Sequence, residues 1–218
     1  MKYRLNRWLC ASFLFLSLFS LNAGDGFFST QTLDKVEKEY GQFARRRVEL
    51  LNTLMISLQD ASEEEKIAKV NDFFNRMRFT TDIKLWGEKD YWATRMEFIG
   101  KDAGDCEDFV IAKYFTLKQL GIPIKKLYFT YVKAIKLRQA HMVLTYFKEP
   151  KAIPLVLDNI NYKILPATVR TDLVPVYSFN GDALFLAKQQ GLGQIVPSGN
   201  QKNKKWLELI DKLKKEDL

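Results

Sequence analysis

Cys106, His141 and Asp158 could supply, in that order, a nucleophile, a general base and the group that orients the base. The chain has two cysteines and one histidine in 218 residues, so a cysteine–histidine enzyme would have almost no choice of parts. Cys106 lies in Gly104-Asp105-Cys106-Glu107-Asp108, a polar string that leaves a loop and opens a helix, with Asp105 placed to cap it. A helix N-terminus carries partial positive charge that favours a thiolate, and its free N–H groups can hold an oxyanion. His141 is the only imidazole and so the only conventional base near neutral pH. Asp158 closes the next strand, where it could accept the Nδ1–H of His141 and fix the tautomer. Against this, a lone cysteine is commonly a small buried hydrophobe, and a bare Cys, His, Asp order arises in most chains by chance.

Asp102, Asp105, Glu107 and Asp108 place four carboxylates within seven residues. Like charges so close repel one another unless a cation compensates them, and hard oxygen ligands suit Ca²⁺. On spacing alone, the preference of acids for a helix N-terminus is the stronger account.

The elements that must position these residues divide into helices first and strands second. Leu33, Val36, Tyr40 and Phe43 recur at helical spacing over 32–58, with Gly41 a candidate break. Ser62 before Glu63, Glu64 and Glu65 marks a capped helix start, and that helix is expected to run to about Arg78. Residues 79–103 read as irregular. The helix from Asp105 carries apolar residues on most sides, Phe109 to Leu120, and stops at Gly121 and Pro123, so it should be the buried central helix. Segments 127–135, 141–147 and 154–158 read as strands, with further short strands over 162–186. This order predicts an α+β fold with an antiparallel sheet. Trp206, Leu207, Ile210 and Leu213 form one stripe of a terminal helix, which would dock on the domain or, alternatively, lie on a membrane surface.

Met1 to Arg7 is basic, Leu9 to Leu21 is apolar, and Leu21-Asn22-Ala23-Gly24 offers small residues for cleavage. Residues 1–23 are therefore expected to be a signal peptide, the alternative being an uncleaved anchor, and 24–218 a single exported domain. Loss of Lys2, Arg4 and Arg7 lowers Lys plus Arg from 34 to 31 against 26 acids, taking the net charge from +8 to +5. Basicity is thus partly a targeting label and no nucleic-acid footprint. Cys10 would leave with it, and Cys106 could then form no internal disulfide. The 47% apolar and 28% charged fractions are those of a globular chain. One histidine and two cysteines exclude a His-rich metal centre, a multi-cysteine zinc site and a disulfide scaffold.

The strings Trp86-Gly87-Glu88-Lys89-Asp90-Tyr91-Trp92-Ala93-Thr94, Gly104-Asp105-Cys106-Glu107-Asp108-Phe109, His141-Met142-Val143-Leu144, Val156-Leu157-Asp158-Asn159 and Arg170-Thr171-Asp172-Leu173-Val174-Pro175 together resemble the bacterial transglutaminase-like cysteine proteinases, over roughly 33–186. Arg95 stands where that pattern would have proline. The resemblance implies a papain-like, transglutaminase-like core with a nucleophile helix on an antiparallel sheet. It makes Cys106 the nucleophile, His141 the base and then acid, and Asp158 the orienter. It also implies calcium, held by Asp105, Glu107 and Asp108, acting structurally on the Cys106 turn. An indole N–H from Trp86 or Trp92 could be a second oxyanion donor, although tryptophans are more often core residues. By similarity the enzyme would be a periplasmic endopeptidase. It would clip a large repeat-rich surface adhesin at an Ala-Ala-type site near its N-terminus and so control biofilm attachment. An inner-membrane cyclic-di-GMP receptor would restrain it. A transglutaminase-type acyl transferase and a non-catalytic calcium-dependent binding module are the rival readings.

Overall fold

Gly41, at φ 86°, sits in a backbone region that side chains disfavour and splits the first helical stretch into α1 (Thr30–Tyr40) and α2 (Gln42–Ser57). The computed structural model describes residues 26–187, 192–196, 199 and 203–216; the expected signal segment at 1–23 lies outside them. Helix α3 (Glu63–Phe74) opens where Ser62 accepts from the Glu65 N–H at 3.1 Å. It ends at Asn75, short of the expected Arg78, because Arg78–Phe79 (β1) pair in parallel with Ala103–Gly104 (β2).

The stretch expected to be irregular contains two short helices, α4 (Asp82–Leu85) and α5 (Arg95–Lys101). Thr94 and Glu97 cap α5 reciprocally: the Thr94 hydroxyl accepts from the Glu97 N–H at 3.2 Å, and the Glu97 carboxylate from the Thr94 N–H at 2.7 Å. Arg95 occupies the first helical position, the one that suits proline. Its guanidinium stacks on Phe28 and donates to Thr116 and Gln119, so the substitution leaves the turn helical.

Helix α6 (Cys106–Gln119) is buried along most of its length, from Glu107 through Leu117. It lies across a seven-stranded antiparallel sheet made of β3 (Leu127–Ala134), β4 (Gln139–Tyr146), β5 (Leu155–Leu157), β6 (Leu165–Pro166), β7 (Leu173–Phe179), β8 (Leu184–Ala187) and β9 (Leu192–Val196). The spatial order is β6-β5-β4-β3-β7-β8-β9. On its other side α6 meets α3 and α5. Strand alternation explains the layering. Met142, Leu144 and Tyr146 of β4 join Phe109, Ile111 and Leu117 of α6 in the main core, whereas Val143 joins Val132 and Val156 in a smaller cluster. The expected α+β architecture, with the nucleophile helix central, is what the chain adopts.

The terminal helix α7 (Lys204–Glu216) docks on this core. Trp206 packs edge-on to Tyr114, Phe129 and Phe179 and flat on Phe115. The buried stripe is Trp206 and Leu209, while Leu207, expected on it, is 49% exposed.

Candidate active site

Gly104 leaves the backbone of the loop before α6 bare. A Cβ there would lie 2.5 Å from the Asp108 carboxylate and 2.7 Å from the Phe98 ring, so only glycine lets Asp108 fold back over the helix start. The Asp108 carboxylate then accepts from the Asp105 N–H at 3.2 Å and from the Ala93 N–H at 2.8 Å. This pins both the α6 N-terminus and the 87–93 loop. Cys106 follows as the first helical residue.

The Cys106 thiol donates to Glu107 Oε2 at 3.0 Å, and the Met142 N–H points at the sulfur. Burial, then the Glu107 charge and its hydrogen bond, push the thiol pKa far up. The helix N-terminus, expected to favour a thiolate, is outweighed here, since a buried carboxylate in contact acts more strongly than half a unit charge.

His141 is 3% and Asp158 2% exposed, and His141 Nε2 lies 2.8 Å from Asp158 Oδ1. The sequence reading put Nδ1 on the carboxylate; the structure puts Nε2 there. The register explains it. Leu144 faces Leu157, so Asp158 falls across from Val143 and diagonal to His141, a separation of about 7–8 Å between backbones that the far ring nitrogen spans. Asp158 Oδ1 also accepts from the Ile160 N–H at 3.0 Å. Its other oxygen, Oδ2, accepts from Arg170 Nη2 at 2.7 Å, and Arg170 is itself clamped by Asp172 at 2.8 and 2.9 Å. Burial opposes the carboxylate, yet the His141 hydrogen bond and charge, the Ile160 N–H and Arg170 together hold Asp158 at about 2.

Cys106, His141, Met142, Trp92, Tyr131 and Tyr177 line one cleft of about 430 Å³, its aromatic wall the stacked Tyr131–Tyr177 pair. The structure thus brings Cys106 and the His141–Asp158 pair to one place. Trp92 reaches the cleft, but its indole N–H donates to Asp90 at 3.1 Å. Trp86 stacks on Tyr91 with Lys101 over its face and does not line the cleft; its buried N–H has no hydrogen-bond partner among the described residues.

Of the four acids grouped by sequence, Asp102 stands apart. It caps α5 with left-handed backbone, 3.9 Å from Arg47. Asp105 and Asp108 are joined instead by Asp82 of α4, their carboxylates within 4.8 Å of one another; Asp105, Cys106 and Glu107 form an overlapping group. Burial, with Glu107 and the neighbouring acids adding to it, raises Asp105 and Asp108 well above the usual range; burial, then the charges of Glu107 and Asp90, raise Asp82 to about 6. Among the described residues, one buried oxygen each of Asp82 and Asp105 has no hydrogen-bond partner. Unpaired, mutually repelling carboxylate oxygens are what a hard cation requires, so the residues fit a calcium ion. Asp82 was missed because it lies in the stretch read as irregular. Nothing in sequence spacing pairs Arg170 with Asp158.

The bacterial transglutaminase-like cysteine proteinase (BTLCP) family matches residues 46–172. Calcium-bound LapG of Legionella pneumophila superposes with a TM-score of 0.73 at 39% identity, covering 85% of this chain and 99% of that one. Its EGTA-treated form gives 0.73 at 38% identity, covering 86% and 99%. A search of curated proteins finds no match.

Proposed function

The chain belongs to the bacterial transglutaminase-like cysteine proteinases, and from that premise we propose that it hydrolyses peptide bonds with a Cys106–His141–Asp158 triad. The observation that carries this is the buried 2.8 Å His141–Asp158 pair opening on the same cleft as Cys106 at the start of α6. With Nε2 of His141 on the carboxylate, Nδ1 is the ring nitrogen left to take the thiol proton, which in this structure is held by Glu107. Cys106 then attacks the scissile carbonyl, the imidazolium protonates the leaving amine, and water hydrolyses the acyl-enzyme thioester, freeing the new carboxylic acid and returning the thiol. The imidazolium gains most from Asp158, whose second oxygen is saturated by Arg170.

Asp82, Asp105 and Asp108 would hold a calcium ion, with Glu107 beside them; the unpartnered oxygens and the existence of calcium-bound and EGTA-treated LapG support this. When bound, calcium supplies charge compensation. Glu107, which accepts from the Cys106 thiol at 3.0 Å, would stand next to that positive charge. The substrate carried by the resemblance is the N-terminal region of a large repeat-rich adhesin, cut at an Ala-Ala-type site in the periplasm to release surface attachment. An inner-membrane cyclic-di-GMP receptor is the regulator. The test incubates the enzyme with an Ala-Ala-containing adhesin fragment and a primary-amine probe, with calcium or EGTA. Cleavage without amine incorporation, lost in EGTA, is expected. Amine incorporation without cleavage would assign acyl transfer instead.

A further inference from the structure

We propose that Lys113 and Asn75 are positioning residues that bolt the triad carboxylate's backbone to the helix that carries the nucleophile. The inference rests on the triad reading above. Lys113 is 1% exposed, and lysine is almost never fully buried without a paired charge. Its Nζ donates to Asn75 Oδ1 at 2.8 Å. The carboxylates of Asp158 and Asp72 act on it only at a distance, and burial pulls it down to about 7. An apolar side chain of the same length would avoid that cost, so the lysine needs another reason to be there.

The reason lies at the far end of Asn75. This residue caps α3, is 3% exposed, and donates from Nδ2 to the Asp158 carbonyl at 2.9 Å. The orientation of its amide is fixed from both sides. A carbonyl only accepts, so it must face the NH₂, and an ammonium only donates, so it must face the oxygen. Lys113 lies seven residues after Cys106, two helical turns along the same face of α6. The relay Lys113–Asn75–Asp158 therefore links α6, the end of α3 and the end of β5, the elements that set the distance between the nucleophile and the His141–Asp158 pair. Arg170 fixes the Asp158 carboxylate, and this relay fixes its main chain.

Two variants separate positioning from simple stability. Lys113→Met keeps the volume and removes a buried cation, so its melting temperature should stay level or rise. Asn75→Asp gives Lys113 a charged partner, which offsets the lost amide donor and should hold the fold, while its second oxygen repels the Asp158 carbonyl and displaces that main chain. In both, kcat should fall about 10- to 100-fold, the cost of a small misplacement of reacting groups, with KM within twofold. The ring N–H resonance of His141, unambiguous in a chain with one histidine, should move from its wild-type position in both variants. Wild-type kcat with an unmoved resonance in either folded variant would overturn the inference, as would a kcat loss matched by a fall in melting temperature in both. Activity surviving in Cys106→Ala would instead bring down the triad reading.

Discussion

Replacing Arg170 by methionine should unfold the chain far more easily, because it strands a carboxylate that has no access to water. Asp158 and Arg170 are 2% and 3% exposed, and their contact is 2.7 Å. Removing one partner of such a pair costs about 3–5 kcal/mol, which in a domain of this size lowers the melting temperature by roughly 6–20 °C. The pH dependence follows from the sign of the Asp158 shift. Its pKa is lowered from 3.8 to about 2, so the stabilisation is present above the unfolded value and is lost as pH falls from about 4 toward 2. It amounts to about 2 kcal/mol. Urea unfolding of wild type and Arg170→Met at pH 7 and at steps down to pH 2 should show the two curves converging in acid. Arg170→Met with Asp158→Asn should recover part of the loss at pH 7, since no charge is left unpaired. A cost below about 1 kcal/mol at pH 7 for Arg170→Met would refute the buried, paired carboxylate.

Three further outcomes are expected. Asp82→Asn relieves a carboxylate that burial and its neighbours raise to about 6; in EGTA at pH 7 it should gain about 1–3 kcal/mol, while the rise in melting temperature on adding calcium shrinks or disappears, and an unchanged calcium response would remove Asp82 from the site. Glu107→Gln relieves a thiol held protonated by burial and by the Glu107 charge and hydrogen bond, so in EGTA its alkylation by iodoacetamide should begin at lower pH than in wild type; an identical pH–rate profile would show that Glu107 does not restrain the sulfur. Trp206→Ala empties a site ringed by Tyr114, Phe115, Phe129 and Phe179 and should cost about 3–5 kcal/mol by urea unfolding, whereas a loss under 1 kcal/mol would mean that α7 is not docked.

The α6 start was legible because several local rules agree there: a loop-ending glycine, an acid at the cap position and acids in the first turn before a long apolar run. The strands were legible from period two, and their order placed Asp158 beside His141. Helix α5 was not read, although Thr94 and Glu97 spell a capping box, because seven residues are too few to show an apolar period. Asp82 and Arg170 act through space, 23 residues before Asp105 and 12 after Asp158, where no local pattern reports on contact. Asp102 shows the opposite case. It is near in sequence, but its left-handed backbone at φ 52° turns it out of the cluster toward Arg47. The choice of Nε2 over Nδ1 depends on a diagonal register that only the folded sheet defines.

The central claim is that Cys106 is the sole nucleophile. The described residues contain no other cysteine, so the most direct measurement is cleavage of an Ala-Ala-containing adhesin fragment by wild type and Cys106→Ala side by side in calcium. Wild type should cut at one site, and Cys106→Ala, folded to the same melting temperature, should leave the fragment intact. Cleavage at the same site by Cys106→Ala would contradict the account.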